Sequence, residues 1–91
     1  MTKVEKVKNI LIQINETLDM YPEAEWTMGY LNEVITKLPK LSEANALDWV
    51  ICLLEMASKI AYDNPTFSEE RAFGLSIIHI IENTTIGVGV A

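Results

Sequence analysis

The stretch AFGLSIIHII, residues 72–81, is apolar except for Gly74, Ser76 and His79, and the chain then closes with IGVGVA, residues 86–91. A helix that is apolar on nearly every side must be buried on nearly every side. A chain of 91 residues has little interior in which to bury such a helix. The C-terminal segment therefore predicts that the protein assembles into an oligomer or docks onto a partner.

Length and composition predict a single helical domain, residues 1–91. Apolar residues make up 49% of the chain and charged residues 22%, which excludes the low hydrophobicity and high net charge of disordered chains. The net charge of −6 argues against binding to DNA or RNA, because phosphate contacts need Lys and Arg. The same charge suits a protein that meets a basic partner.

Hydrophobic periodicity predicts four helices. The connections between them are short, so sequential helices should be antiparallel neighbours. The expected fold is an all-α small bundle of about four antiparallel helices, dominated by a C-terminal helical hairpin. The expected helices are about Thr2–Asp19, Pro22–Leu38, Glu43–Asp63, and a fourth that begins at a Thr66 or Ser68 cap and ends near Asn83. Residues 84–91 could continue as helix or become extended.

Several local features refine the second and third helices. Gly29 suggests a close helix contact, and Ser42 is a good N-cap for the third helix. The apolar face of the second helix is expected to contain Trp26, Tyr30, Leu31, Val34, Ile35 and Leu38. The main stripe of the third helix is expected to contain Leu47, Val50, Leu54, Ala57 and Ala61, and Ile51, Leu53 and Ile60 are expected to widen it.

Catalytic and metal-binding signals are weak. Cys52 lies in an apolar run and is expected to be a small buried hydrophobe. His79 lacks partners at metal-ligand spacing and is expected on the polar seam of a mostly buried helix. We therefore expect neither an enzyme nor a cofactor. The N-terminus does not look like a signal peptide and no run approaches a membrane span, so a cytoplasmic protein is expected.

Aromatic and basic residues offer one candidate ligand site. Aromatic faces together with lysines can hold a nucleotide base and its phosphates. Tyr30 and Trp49 are the candidates for base stacking, and Lys37, Lys40 and Arg71 are the candidates for phosphate binding. The alternative is that Trp26, Tyr30 and Trp49 are core residues, since large aromatics dominate small cores.

Two short motifs and a small-residue end stand out in the C-terminal half. The first motif consists of Ser42, Asn45 and Trp49, the second of Pro65, Ser68, Glu70 and Arg71, and residues 87–91 form the small-residue end. In these features the C-terminal half resembles the helical-hairpin proteins that phages use against nucleotide-signalling defence, the anti-CBASS sponges and the related Thoeris antagonists. The chain differs from the family at Leu53, where a phosphate-binding Lys or Arg is expected.

The resemblance implies a homo-oligomer, often a hexamer, whose inter-subunit pockets sequester cyclic oligonucleotide second messengers without cleaving them. It would place the protein in the cytoplasm of an infected host. A different class remains open, a small acidic helical inhibitor or immunity protein that binds a protein partner. A third alternative is an assembly module without a ligand.

The apolar C-terminal helix generates the first prediction. Sedimentation equilibrium of the purified protein should give a multiple of the 10.2 kDa chain mass, because apolar surface left over by one subunit would be covered by copies. A monomer that persists at high concentration would contradict this prediction.

Overall fold

The computed structural model describes residues 2–89, with the side chains of residues 2–84. These residues form four α-helices, and a 3₁₀ turn, Pro22–Ala24, precedes the second of them. The helices are α1 (Lys3–Leu18), α2 (Glu25–Thr36), α3 (Ala46–Asp63) and α4 (Glu69–Gly89). The expected all-α class and the hairpin of the last two helices are confirmed. α4 continues well beyond Asn83, while residues 90 and 91 lie outside the described residues.

The interface between α3 and α4 is the most extensive of the helix–helix interfaces, and α1 packs against both helices. Buried apolar side chains fill the space between them. From α1 these are Val7, Ile10 and Ile14; from α3 Trp49, Leu53, Met56, Ala57 and Ile60; and from α4 Phe73, Ile77 and Ile81. The inward side of the apolar stretch 72–81 is thus covered within one subunit, while Leu75 and His79 are exposed.

Gly74 brings the backbones of α3 and α4 into close contact. A β-carbon at this position would lie 2.6 Å from the Ala61 amide nitrogen and 2.9 Å from the Ala61 α-carbon. Such a distance is too short for any side chain, so the hairpin can pack this closely only with glycine here. The prediction of a close helix contact at Gly29 was wrong, because a β-carbon there would meet nothing within 4 Å.

The N-terminus of α1 is capped from two directions. The Thr2 side chain accepts a hydrogen bond from the Glu5 amide at 3.1 Å. From the loop before α3, the Glu43 carboxylate accepts hydrogen bonds from the Lys3 amide at 3.2 Å and the Val4 amide at 2.7 Å. These amides have no partner within their own helix, and a carboxylate also suits the positive end of the helix dipole.

A second carboxylate acts in the same way at the start of α4. Glu69 accepts a hydrogen bond from the Glu23 amide at 3.0 Å, at the N-terminus of the 3₁₀ turn. Ser68 caps α4 itself, because its Oγ accepts from the Arg71 amide at 3.2 Å. Of the two caps considered for this helix, Ser68 is therefore the one used. α4 packs against the 3₁₀ turn, so this end of the hairpin supports the entry to α2.

α3 begins three residues later than expected, and Ser42 is not its N-cap. The Asn45 side chain accepts a hydrogen bond from the Ser42 amide at 2.8 Å and donates one to the Lys40 carbonyl at 2.8 Å. Asn side chains commonly stabilise such local turns at the expense of helix. The first helical residue is therefore Ala46, with Asn45 at the N-cap position.

The core-facing stripe of α3 also differs from the expected one. Ala57 and Ala61 are buried as predicted, but Leu47 is 65% exposed, and Ile51, which was expected to widen the stripe, is 47% exposed. The centre of the stripe is shifted by about one residue, because Trp49 faces the core together with Leu53 and Ile60, which were expected only to widen the stripe. None of the helices in residues 2–89 combines enough length and apolar character to cross a membrane.

The contact at Gly74 generates a stability prediction. Gly74→Ala should lower the free energy of unfolding, because overpacking against a backbone costs about 1–3 kcal/mol. That cost outweighs the gain of ~1 kcal/mol in helix propensity. Urea unfolding measures the change. Gly29→Ala is the matched control, and since its new methyl group meets open space, it should gain up to ~1 kcal/mol. Equal effects of the two substitutions would contradict the assignment.

Candidate functional site

α2 is the most weakly packed of the four helices. It buries only Met28 and Leu31 fully, and its backbone lies close mainly to the 3₁₀ turn that precedes it. Its outer side carries two large aromatic residues, with Trp26 89% exposed and Tyr30 43% exposed. The expectation that Trp26 and Tyr30 lie on the buried face of this helix was wrong. Leu31 is buried as predicted, and the other fully buried residues of this segment are Met28 and, in the preceding 3₁₀ turn, Ala24.

The exposed aromatics line an open groove, here called the α2 groove. Its lining residues are Glu25, Trp26, Gly29, Tyr30 and Glu33, and its volume is about 520 Å³. These residues repeat at the three- and four-residue spacing of one helix face. A shallower hollow continues from Trp26 and Tyr30 towards Lys59 and Asp63 of α3. The aromatic surface is therefore accessible from both sides.

Carboxylates dominate the charge around this groove. Glu25 and Glu33 line the groove itself, Asp63 lies in the adjoining hollow, and the one cation lining either depression is Lys59. Lys37 Nζ lies 3.9 Å from Glu33 Oε1, with both side chains exposed. Ion pairs of this kind contribute little, since water and salt screen them. Glu33 is therefore available to a second cation. The groove joins an aromatic surface to negative charge.

Trp49, expected to stack on a base, is placed in the core at 7% exposure. Its indole Nε1–H donates a hydrogen bond to the Pro39 carbonyl at 3.1 Å. This bond satisfies the indole N–H of a buried tryptophan, and it holds the loop before α3 against the helix. For Trp49, the structure agrees with the alternative of a core aromatic.

The other expected ligand residues lie apart on different elements. Tyr30 lines the α2 groove, Lys37 follows the end of α2 beside Glu33, and Lys40 is exposed in the loop before α3. Arg71 lies in the first turn of α4, where its guanidinium carbon is 5.4 Å from the centroid of the Tyr62 ring. Neither depression that Tyr30 lines includes any of the other four residues. Their joint role in ligand binding stays a prediction.

Cys52 and His79 form no recognisable site. Cys52 is half-buried, not fully buried as expected, and packs at the edge of the core. His79 is exposed in a shallow depression shared with Met20, Tyr21 and Leu75. In the part of the chain that the structure describes, no group of three His, Cys, Asp or Glu residues is arranged to hold a metal ion.

Tyr30 was among the candidate ligand residues, but the α2 groove as a whole was missed because Trp26 was assigned to the core. The signal that could have located it is a second apolar series in the same segment, Ala24, Met28 and Leu31, at helical spacing. Trp26, by contrast, shares its face with Glu33, which is unusual for a core position.

The contrast between the two tryptophans can be tested by fluorescence. The Trp49→Phe variant, which retains Trp26, should emit at longer wavelength and be readily quenched by acrylamide. The Trp26→Phe variant, which retains the buried Trp49, should emit at shorter wavelength and resist quenching. Trp26→Ala should change stability by less than about 0.5 kcal/mol. Trp49→Ala should cost about 3–5 kcal/mol. Protection of Trp26 in the purified protein would contradict its placement on a free surface.

The chain matches no protein-family model, no curated protein and no solved structure. The resemblance of its C-terminal half to the phage sponges therefore stays a prediction.

Proposed function

We propose that this protein is a small acidic helical binding protein, of the inhibitor or immunity type, that docks onto a basic protein partner through α2. The observation that carries the proposal is Trp26, a tryptophan 89% exposed on a helix face that also carries carboxylates. Tryptophan and tyrosine are enriched among the residues that dominate the binding energy of protein interfaces. A folded chain gains nothing in stability by presenting such a side chain to water.

The charge around the groove favours a basic partner over a nucleotide. Glu25, Glu33 and Asp63 line the two depressions and would repel phosphate groups, while Lys59 alone would attract them. The net charge of −6 acts in the same direction at longer range. Complementary charge raises the rate of encounter with a basic protein and makes the association sensitive to salt.

A second candidate is the sequestration of cyclic oligonucleotides in an oligomer, as the family resemblance implies. The observation that favours it is the pairing of Arg71 with Tyr62 at 5.4 Å, near the start of the hairpin's second helix. Within residues 2–84 no carboxylate lies within ion-pair distance of Arg71. An aromatic ring beside a guanidinium group can hold a base and its phosphate.

Two parallel NMR titrations test the two candidates. A lysine–alanine octapeptide is the probe for a basic partner, and a glutamate–alanine octapeptide is its charge-reversed control. We expect the lysine peptide to shift the Trp26 indole and α2 amide resonances, while the Trp49 indole serves as an internal reference. High salt should abolish the shifts, because screening weakens exposed charge pairs. Trp26→Ala should also abolish them, whereas Leu47→Ala, a loss of exposed apolar surface on α3, should not.

Shifts spread evenly over all acidic residues, or an absence of binding, would contradict the proposal of docking through α2. A parallel titration with a panel of cyclic dinucleotides addresses the second candidate. Shifts around Arg71 and Tyr62 that Arg71→Ala removes would support it. No response to any member of the panel would contradict it.

A further inference from the structure

Gly29 lies in the middle of α2, where glycine is a poor helix former. Two structural reasons for a helical glycine are missing here. An added β-carbon would meet nothing within 4 Å, so no neighbouring element needs the space. No described glycine has a positive φ, so the backbone conformation suits an alanine equally well. Gly29 therefore weakens its helix without a benefit to packing.

The position of Gly29 within the α2 groove supplies a reason. The residues one turn before and after it are Glu25 and Glu33, and Trp26 and Tyr30 flank it on the same surface. Because Gly29 has no side chain, helix backbone is exposed in the groove beside the Trp26 and Tyr30 side chains. The resulting notch is part of a groove of about 520 Å³, and Glu25 and Glu33 lie one helical turn before and after Gly29.

We propose that this notch is the anchoring site for one lysine or arginine side chain of the partner protein. This inference rests on the proposed function and assigns its central contact. The aliphatic part of the partner's side chain would lie on the Gly29 backbone beside Trp26 and Tyr30. Its cationic group would lie near the face of Trp26, where the ring attracts positive charge, and within reach of Glu25 or Glu33. Lys37, which lies 3.9 Å from Glu33 on the surface, would be displaced from this carboxylate.

A basic partner fits this notch better than a second copy of the chain. If two copies docked through their α2 grooves, Glu25 and Glu33 of one copy would face the same carboxylates of the other. Glu25 and Glu33 leave the notch itself negative, and the occupant that neutralises it is a cationic side chain. A test of the anchor must therefore distinguish binding of a basic peptide from self-association through α2.

Gly29→Ala is the decisive variant, because it fills the notch without harming the fold. Its stability to urea should equal or exceed that of the natural chain, while its affinity for the lysine–alanine octapeptide should fall about tenfold. Asn32→Ala is the matched control. Asn32 is exposed on the same helix outside the groove, so this substitution also improves helix propensity but leaves the notch open. Its affinity should be unchanged.

The nature of the occupant is tested with a second pair of probes. An arginine–alanine octapeptide should bind, and the same peptide with citrulline for arginine should bind about tenfold more weakly, since citrulline is similar in shape but uncharged. Equal binding of the two peptides would overturn the cationic anchor. Sedimentation of the natural chain and Trp26→Ala at the titration concentration identifies self-association through α2, which would also overturn it.

The outcomes distinguish the anchor from the proposed function. If the natural chain binds the lysine peptide and Trp26→Ala does not, but Gly29→Ala binds equally well, the notch is overturned and docking through α2 stands. If the natural chain does not bind the basic peptides at all, both proposals fall.

Discussion

The close contact between Gly74 and the Ala61 backbone is the constraint on which the rest of the structure depends. It sets the separation of α3 and α4, and that separation determines how Phe73 and Ile77 meet the α3 side chains. The hairpin then presents one continuous apolar surface, against which α1 packs. Protein interiors are packed as densely as organic crystals, so a change in the separation of α3 and α4 would disturb the packing of every side chain in their interface.

α2 lies at the edge of the fold, because α1, α3 and α4 pack mainly against one another. The outer side of α2 is therefore left exposed. α1, α3 and α4 supply most of the buried residues, while α2 contributes Met28 and Leu31. The stretch 72–81 that suggested an assembly has its inward side covered within one subunit. The aromatic residues that remain exposed on α2 lie beside carboxylates. The molecule thus separates a helical core from one helix whose outer surface exposes aromatic residues, the surface proposed for docking.

The sequence predicts the parts of this fold that depend on local periodicity, and it fails where distant residues decide. The helix of residues 3–18 and the hairpin follow from spacing, whereas Ser68 was one of two caps that the sequence offered for α4. The face of α2 was misassigned because hydrophobicity favoured Trp26 over Met28, although only packing against the other helices chooses between two apolar series. The closeness of Gly74 to Ala61 depends on how two helices cross, and no local pattern reports it. The sequence could not decide whether Trp49 lies in the core or on a base-stacking surface, because aromatic residues are favoured in both places.

The carboxylates of Glu43 and Glu69 have a consequence for the integrity of the chain. Each lies at least 39 residues further along the chain than the backbone amides that it binds, which belong to Lys3 and Val4 for Glu43 and to Glu23 for Glu69. A fragment that ended between Thr36 and Glu43 would lack both acceptors, and water would have to replace them. A chain cleaved between Thr36 and Glu43 would keep both acceptors as long as the two pieces stayed together. The fold therefore depends more on the presence of the two carboxylates than on an unbroken backbone in this loop.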